Sequence, residues 1–166
     1  MAQLSEVDPS RVQRVASRLV ARKQTIAVSE SSTGGLISAA LLSVPGASAF
    51  FLGGGVIYTR MAMRALLELG PAELQGLRSA TEPMARLLAD TARTRLGADW
   101  GLAETGATGP TGNRYGDAAG HVCLAISGPR KASRVLETGS SDRMANMAAF
   151  TNAALELLEE TLSGPD

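Results

Sequence analysis

Apolar residues recur at helical spacing near the start of the chain, at Val12, Val15, Ala16, Leu19 and Val20. That period predicts a surface helix over 9–22, with Asp8 as its cap and Pro9 as its first residue. Residues 25–29 (TIAVS) form a β-branched run short enough for a buried strand. A Gly-rich turn follows, and 36–42 reads as an apolar helix stopped by Pro45-Gly46. Residues 50–58 (FFLGGGVIY) read as a strand whose three glycines mark a bulge or a close backbone approach. Helical spacing returns over 60–69, and a short helix is expected over 71–77. A long helix is predicted over 82–96, with Met84, Leu87, Leu88, Ala92 and Leu96 on one side and Thr81 as cap.

Beyond it, 100–104 predicts a strand leading into a loop, 105–119, too rich in Gly, Thr and Pro for regular structure; ordered loops of such length usually carry function. Residues 121–127 and 133–138 alternate as a hairpin around Gly128-Pro129-Arg130. A last helix begins at a Ser141 or Asp142 cap and presents Met147, Phe150, Ala154, Leu157 and Leu158. Strands and helices interleave with no repeat and no linker, so 1–166 is expected to form one α/β domain, a mixed sheet covered by helices on both faces. Ligands in such folds bind at the carboxyl ends of strands.

Composition narrows the partners. A 166-residue chain can bury roughly 70% of its unfolded surface. Sixteen basic residues offset sixteen acidic ones, so no net field favours a polyanion or an anionic membrane, and neither is an expected partner. Only Lys23 and Lys131 are lysines; the other basic residues are arginines, which hold their proton at any useful pH. Cys123 is the only cysteine, which rules out an intrachain disulfide. No run approaches the ~18 apolar residues of a membrane span, and residues 1–22 carry charges where a signal peptide needs an apolar stretch. A cytoplasmic location is expected.

Three polar segments carry the candidate chemistry. Glu30-Ser31-Ser32-Thr33-Gly34-Gly35 lies between a predicted strand and a helix, where free N–H groups and the helix dipole suit an anion, though a plain capping loop fits equally. Thr105-Gly106-Ala107-Thr108-Gly109-Pro110 offers hydroxyls and backbone donors for a ribose or phosphate, or for a tight turn. Ser48, Tyr58 and His121 are candidate nucleophile, assisting hydroxyl and acid–base group, each with a structural reading as helix cap, strand-end aromatic and satisfied histidine. No Cys/His/Asp/Glu spacing suggests a metal site.

In this order, VSESSTGGLISAAL, SVPGASAFFLGGGVIYTRMAMRALL, ATEPMARLLADTARTRLGADWGLAETGATGP, AAGHVCLAISGP and SSDRMANMAAF resemble the CinA C-terminal domain family, the nicotinamide-nucleotide amidohydrolases. The resemblance implies a three-layer α/β/α domain with a mixed central sheet. It implies hydrolysis of the carboxamide of nicotinamide mononucleotide to nicotinate mononucleotide and ammonia, in pyridine-nucleotide salvage. A small-molecule nucleotide partner, no cofactor, no metal and a homodimer are implied with it. The family's serine nucleophile matches Ser48, its tyrosine Tyr58, and the arginine of its late motif Arg143. Glu30, Ser31, Thr33, Gly34 and Gly35 match its ESCTGG pocket loop; Thr105, Gly106, Gly109 and Pro110 match its TGxAGP loop.

The chain departs from that pattern where mechanism is concerned. Met63 holds the family's lysine position, five residues after Tyr58, so the proton acceptor is missing. Arg64 stays charged and points elsewhere on a helix. Ser32 replaces cysteine, Thr108 replaces alanine, and His121 lies in a changed pocket segment, which makes it the candidate substitute base. Three readings stand: an amidohydrolase using Ser48, Tyr58 and His121; a paralogue that binds a pyridine nucleotide without turnover; and a protein-interaction module.

Overall fold

The computed structural model describes residues 6–164; 1–5, the start of the charged N-terminal segment, and 165–166 lie outside the described residues. Helix α1 (Pro9–Ala21) leads into strand β1 (Ile26–Glu30), helix α2 (Leu36–Leu42) and strand β2 (Phe51–Val56). Helices α3 (Arg60–Leu67) and α4 (Glu82–Leu96) follow, then strands β3 (Trp100–Ala107), β4 (His121–Ser127) and β5 (Ala132–Glu137), and helix α5 (Arg143–Ser163). Each predicted cap closes its helix. The Asp8 carboxylate accepts from the Ser10 and Arg11 amides, Thr81 from Met84, and Asp142 from Met144 and Ala145.

The five strands lie in the order β2-β1-β3-β4-β5. β1 runs parallel to both β2 and β3, whereas β3–β4 and β4–β5 are antiparallel. Period-two alternation sorts the side chains. Ile26, Val28, Leu102, Leu124 and Ile126 pack beneath α1, α2 and α5. The alternate residues Ala103, Cys123 and Ala125 face α3 and α4, beside Met84 and Leu88. The result is a three-layer α/β/α fold with a mixed sheet.

Small residues on the α4 side let that helix approach closely. A methyl group added at Gly101 would overlap the Ala89 carbonyl oxygen of α4. In β2, Gly54 serves a similar end on the other face, where it lies against the Ser38 side chain of α2.

Two expectations need correction. Residues 71–77 form turns instead of a short helix, held by single bonds such as Leu74 N to the Gly70 carbonyl (3.1 Å) and Leu77 N to Leu74 (3.1 Å). β3 runs three residues past 104, because Thr105, Gly106 and Ala107 pair with Cys123, Val122 and His121 of β4. The first three residues of the segment that its Gly and Thr content marked as loop are therefore strand, imposed by their neighbour. No helix among the described residues is long and apolar enough to cross a membrane.

Because the Gly101 approach is to backbone, α4 cannot yield by a side-chain rotation. Gly101→Ala is expected to cost about 1–3 kcal/mol and to lower the melting temperature by roughly 2–4 °C per kcal/mol, read by calorimetry.

Candidate functional site

β1 ends in Glu30, whose buried carboxylate turns back onto the start of α2. Its Oε1 accepts from Thr33 Oγ1 (2.8 Å), Gly35 N (3.1 Å) and Ile37 N (2.9 Å), and its Oε2 from Ser38 N (2.9 Å) and Ser38 Oγ (2.6 Å). The amides that would have cradled a phosphate are thus engaged by the protein's own carboxylate. Glu30, Thr33, Gly34 and Gly35 form a capping loop, which corrects their expected role as ligand contacts.

A second buried carboxylate, Glu104 of β3, holds the same loop from the other side. Glu104 Oε2 accepts from the amides of Ser31 (3.0 Å) and Thr33 (3.0 Å) and from Thr33 Oγ1 (3.0 Å), while Oε1 bonds the Ser32 hydroxyl. The Thr33 hydroxyl has one proton and two carboxylate neighbours. Burial pushes the Glu104 pKa up, against the hydrogen bonds it accepts, toward the protonated form that such sharing favours.

Pinned in this way, Ser31 and Ser32 open onto two adjoining polar clefts. One, of about 250 Å³, is lined by Ser32, Tyr58, the 106–109 backbone, Thr111 to Asn113 and Arg143. The other, of about 370 Å³, is lined by Ser31, Tyr58, Arg60, Met63, Ser79, Thr105, Gly106, Asn113, Arg114 and Tyr115. Tyr58, Gly106 and Asn113 belong to both, so together they form one site at the carboxyl ends of β1, β2 and β3. The Arg143 guanidinium spans its mouth, donating to the Gly109 carbonyl (2.6 Å) and to the Tyr58 hydroxyl (3.4 Å). Gly109 adopts φ +104°, and a side chain there would meet the Ser141 carbonyl, so only glycine fits. Buried Asn146 fixes the same loop by donating to the carbonyls of Thr108 (2.9 Å) and Ser140 (2.8 Å).

The rim of the larger cleft is a folded loop. Asn113 Oδ1 accepts from Tyr115 N (2.9 Å) and Asp117 N (3.1 Å), and its Nδ2 donates to Asp117 Oδ2 (2.7 Å). Arg78 clamps Asp117 at 2.6 and 3.2 Å, which holds that carboxyl below its usual range. The guanidinium groups of Arg78 and Arg114 lie over the Tyr115 ring, 5.5 and 5.0 Å from its centre. Arg114 also donates to the Tyr115 hydroxyl (2.9 Å), the leading reason that its pKa is lowered.

Ser31, Tyr58, Thr105, Gly106, Gly109 and Arg143 therefore meet, as the sequence suggested. Ser48 does not join them. It sits exposed in a 3₁₀ turn, Ala47–Ala49, ahead of β2, and so at the amino end of that strand. The clefts lie beyond the other end, and six residues at ~3.3 Å each put roughly 20 Å between them. His121 is also elsewhere. Its Nδ1 meets the Glu137 carboxylate and its Nε2 lies 2.9 Å from the Ala80 carbonyl, with Asp117 at 4.0 Å. Both ring nitrogens face acceptors, which is the pairing of an imidazolium and leaves no lone pair for a substrate. The sequence reading passed over Glu104, Arg60, Asn113, Arg114 and Tyr115; the last three belong to the long loop it marked for function.

Comparison with known proteins gives the family. A profile of the CinA C-terminal domain matches residues 9–162. The chain belongs to the CinA C-terminal domain family. A CinA-like protein of Anaeromyxobacter sp. (strain K) is 41% identical over 151 residues, covering 89% of this chain and 36% of its own. A CinA-like protein of Prochlorococcus marinus (strain MIT 9313) is 40% identical over 122 residues, covering 74% of this chain and 28% of its own. The chain thus spans about a third of the length of these curated relatives. A CinA superfamily protein of Klebsiella pneumoniae superposes with a TM-score of 0.87 at 28% identity, covering 93% of this chain and 97% of that one. The competence/damage inducible protein CihA of Agrobacterium tumefaciens gives 0.85 at 28% identity, covering 92% and 94%.

Within this CinA domain, Met63 is buried at 3% exposure and shows one side to the larger cleft, beside Ser31. Arg64, the next residue, is exposed and lines a separate groove. No lysine lines either cleft.

Two outcomes follow from these side chains. Glu30→Gln would set an amide N–H₂ against donors, and each buried donor left unpaired costs about 1–3 kcal/mol; urea titration is expected to show a lower midpoint with an unchanged slope. His121 titrates differently. Burial pushes its pKa down, but the Glu137 and Ala80 hydrogen bonds and the nearby charges of Glu137 and Asp117 outweigh it, and the net shift is upward. A raised folded-state pKa means that its contribution is full below about 6.5 and is lost as pH climbs through the raised value. Melting temperature should fall over that window, and His121→Gln should flatten the fall.

Proposed function

We propose that this chain is a nucleotide-binding member of the CinA family that takes a pyridine mononucleotide across its two clefts and lacks the proton acceptor for fast hydrolysis of the carboxamide. One observation carries the reading. The ionisable side chains lining the clefts are Tyr58, Tyr115, Arg60, Arg114 and Arg143, with no carboxylate, imidazole or lysine amine among them. Three arginines suit a phosphorylated ligand, with Arg143, beside the 106–109 segment, taken as the phosphate contact. The clefts stand open, instead of being filled by the protein's own side chains, which favours a ligand site over a scaffold.

A second reading rests on Ser31. Its half-buried hydroxyl opens on the larger cleft with Tyr58 and Met63, the arrangement of a serine nucleophile whose base has been replaced by a thioether. Residual amidohydrolysis, if measured, would pass through Ser31 and not Ser48.

Titration calorimetry with nicotinamide mononucleotide is expected to give binding, weakened roughly 10–100-fold in Arg143→Gln by loss of charged hydrogen bonds. The unaltered protein should release no ammonia above its Ser31→Ala control. Met63→Lys is expected to raise ammonia release by about 10²-fold or more, with Ser31→Ala abolishing the gain and Ser48→Ala leaving it intact. Rapid release by the unaltered protein would overturn the reading.

A further inference from the structure

The larger cleft carries more positive charge than a carboxamide can use. Arg60, at the start of α3, donates to the Leu77 carbonyl (3.1 Å), and Arg114, on the rim loop, donates to the Tyr115 hydroxyl (2.9 Å). Neither these two nor Arg143 pairs with a carboxylate among the described residues, whereas eight other arginines do. The three arginines that line the clefts are thus left with donors to spare. An arginine kept without a carboxylate partner in a concave site is placed to receive one from a ligand.

The acceptors in the same place are neutral ones, chiefly the hydroxyls of Ser31, Ser79 and Tyr58. Both polar atoms of Asn113 are engaged within the loop, its Oδ1 by two backbone amides and its Nδ2 by Asp117. Thr105 Oγ1 already accepts from Ala80 N (3.0 Å). Met63 presents a thioether, a weak acceptor at best. No aspartate or glutamate lines either cleft. A carboxamide brings two N–H donors that gain nothing from the guanidinium groups and find only neutral hydroxyl acceptors here. A carboxylate brings only acceptors, with a charge opposite to the arginines.

We infer that the cleft lined by Arg60, Arg114 and Ser31 is a carboxylate subsite, so that the preferred ligand is a mononucleotide whose ring bears a carboxylate and not a carboxamide. The inference rests on the nucleotide-binding reading and refines it: Arg143, beside the 106–109 segment, holds the phosphate, and Arg60 and Arg114 read the far end of the same ligand. The chain then selects the acid that a carboxamide hydrolase releases, in keeping with a site that has no base to make it.

Calorimetric titration of the whole chain with nicotinate mononucleotide and, separately, nicotinamide mononucleotide at one pH and ionic strength tests this. The acid is expected to bind at least about tenfold more tightly, the size of one charge-assisted hydrogen bond. Arg60→Gln and Arg114→Gln should each bring the ratio of affinities toward one. Arg143→Gln should weaken both ligands and preserve the ratio. Equal affinities, tighter binding of the amide, or a preference that survives both Arg60→Gln and Arg114→Gln would overturn the carboxylate subsite while leaving the nucleotide site standing. Failure of both ligands to bind would overturn the two together. Circular dichroism of each variant confirms its fold before titration.

Discussion

The Thr33 hydroxyl, held between the carboxylates of Glu30 and Glu104, is the contact on which the site depends. Glu30 ends β1 and caps α2; Glu104 belongs to β3 and carries the amides of Ser31 and Thr33. The loop between them has little freedom, because nearly every donor it has meets a buried acceptor. Burying a carboxylate costs desolvation, and the upward push on Glu104 records that cost. What the arrangement achieves is position: Ser31 and Ser32 are presented to the clefts by a loop that cannot drift.

Topology explains why the clefts form where they do. From β1 the chain crosses to β2 through α2 on one face, then returns over α3 and α4 on the other face to reach β3. The connections leave the carboxyl ends of neighbouring strands in opposite directions, and the crevice they leave is where open α/β sheets bind ligands. β4 then enters antiparallel, so its start, like the ends of β1 and β3, lies at the site end. The 108–120 loop is tied down there by Asn146, Arg143 and the Arg78–Asp117 pair.

Helix caps at Asp8, Thr81 and Asp142 were legible because capping is local chemistry, set by a side chain and amides two or three residues away. Ser31, Tyr58 and Arg143 could be grouped because each follows a strand or opens the last helix. Ser48 misled because order along the chain does not tell which end of a sheet a residue occupies. It precedes β2, whereas Ser31 follows β1; the two strands are parallel, so a residue before one and a residue after the other lie at opposite ends. That deduction was available once both strands were taken as parallel. The engagement of His121 by Glu137 and Ala80 was not, since it needs the hairpin register and the path of the 71–80 turns. Glu104 was hidden for a related reason: a carboxylate at a strand end reads as exposed until a neighbouring loop is seen to bury it.

Met63 shows how recognition and chemistry separate in this fold. None of the contacts that shape the clefts, from Glu30 and Glu104 to Arg143 and Asn146, passes through residue 63. Its side chain packs with Ile57, Leu67, Met84 and Leu88 between α3 and α4. An ammonium at this position would have to be held partly out of water, at an effective penalty of several kcal/mol unless paired. A methionine there contributes about 1.5–3 kcal/mol of burial instead. A methionine therefore keeps charge out of the core and packs the helix pair, while it changes one wall of the larger cleft, which residue 63 lines. The contacts that build the fold and hold the cleft loops need no ionisable group at residue 63, whereas proton transfer at that wall would.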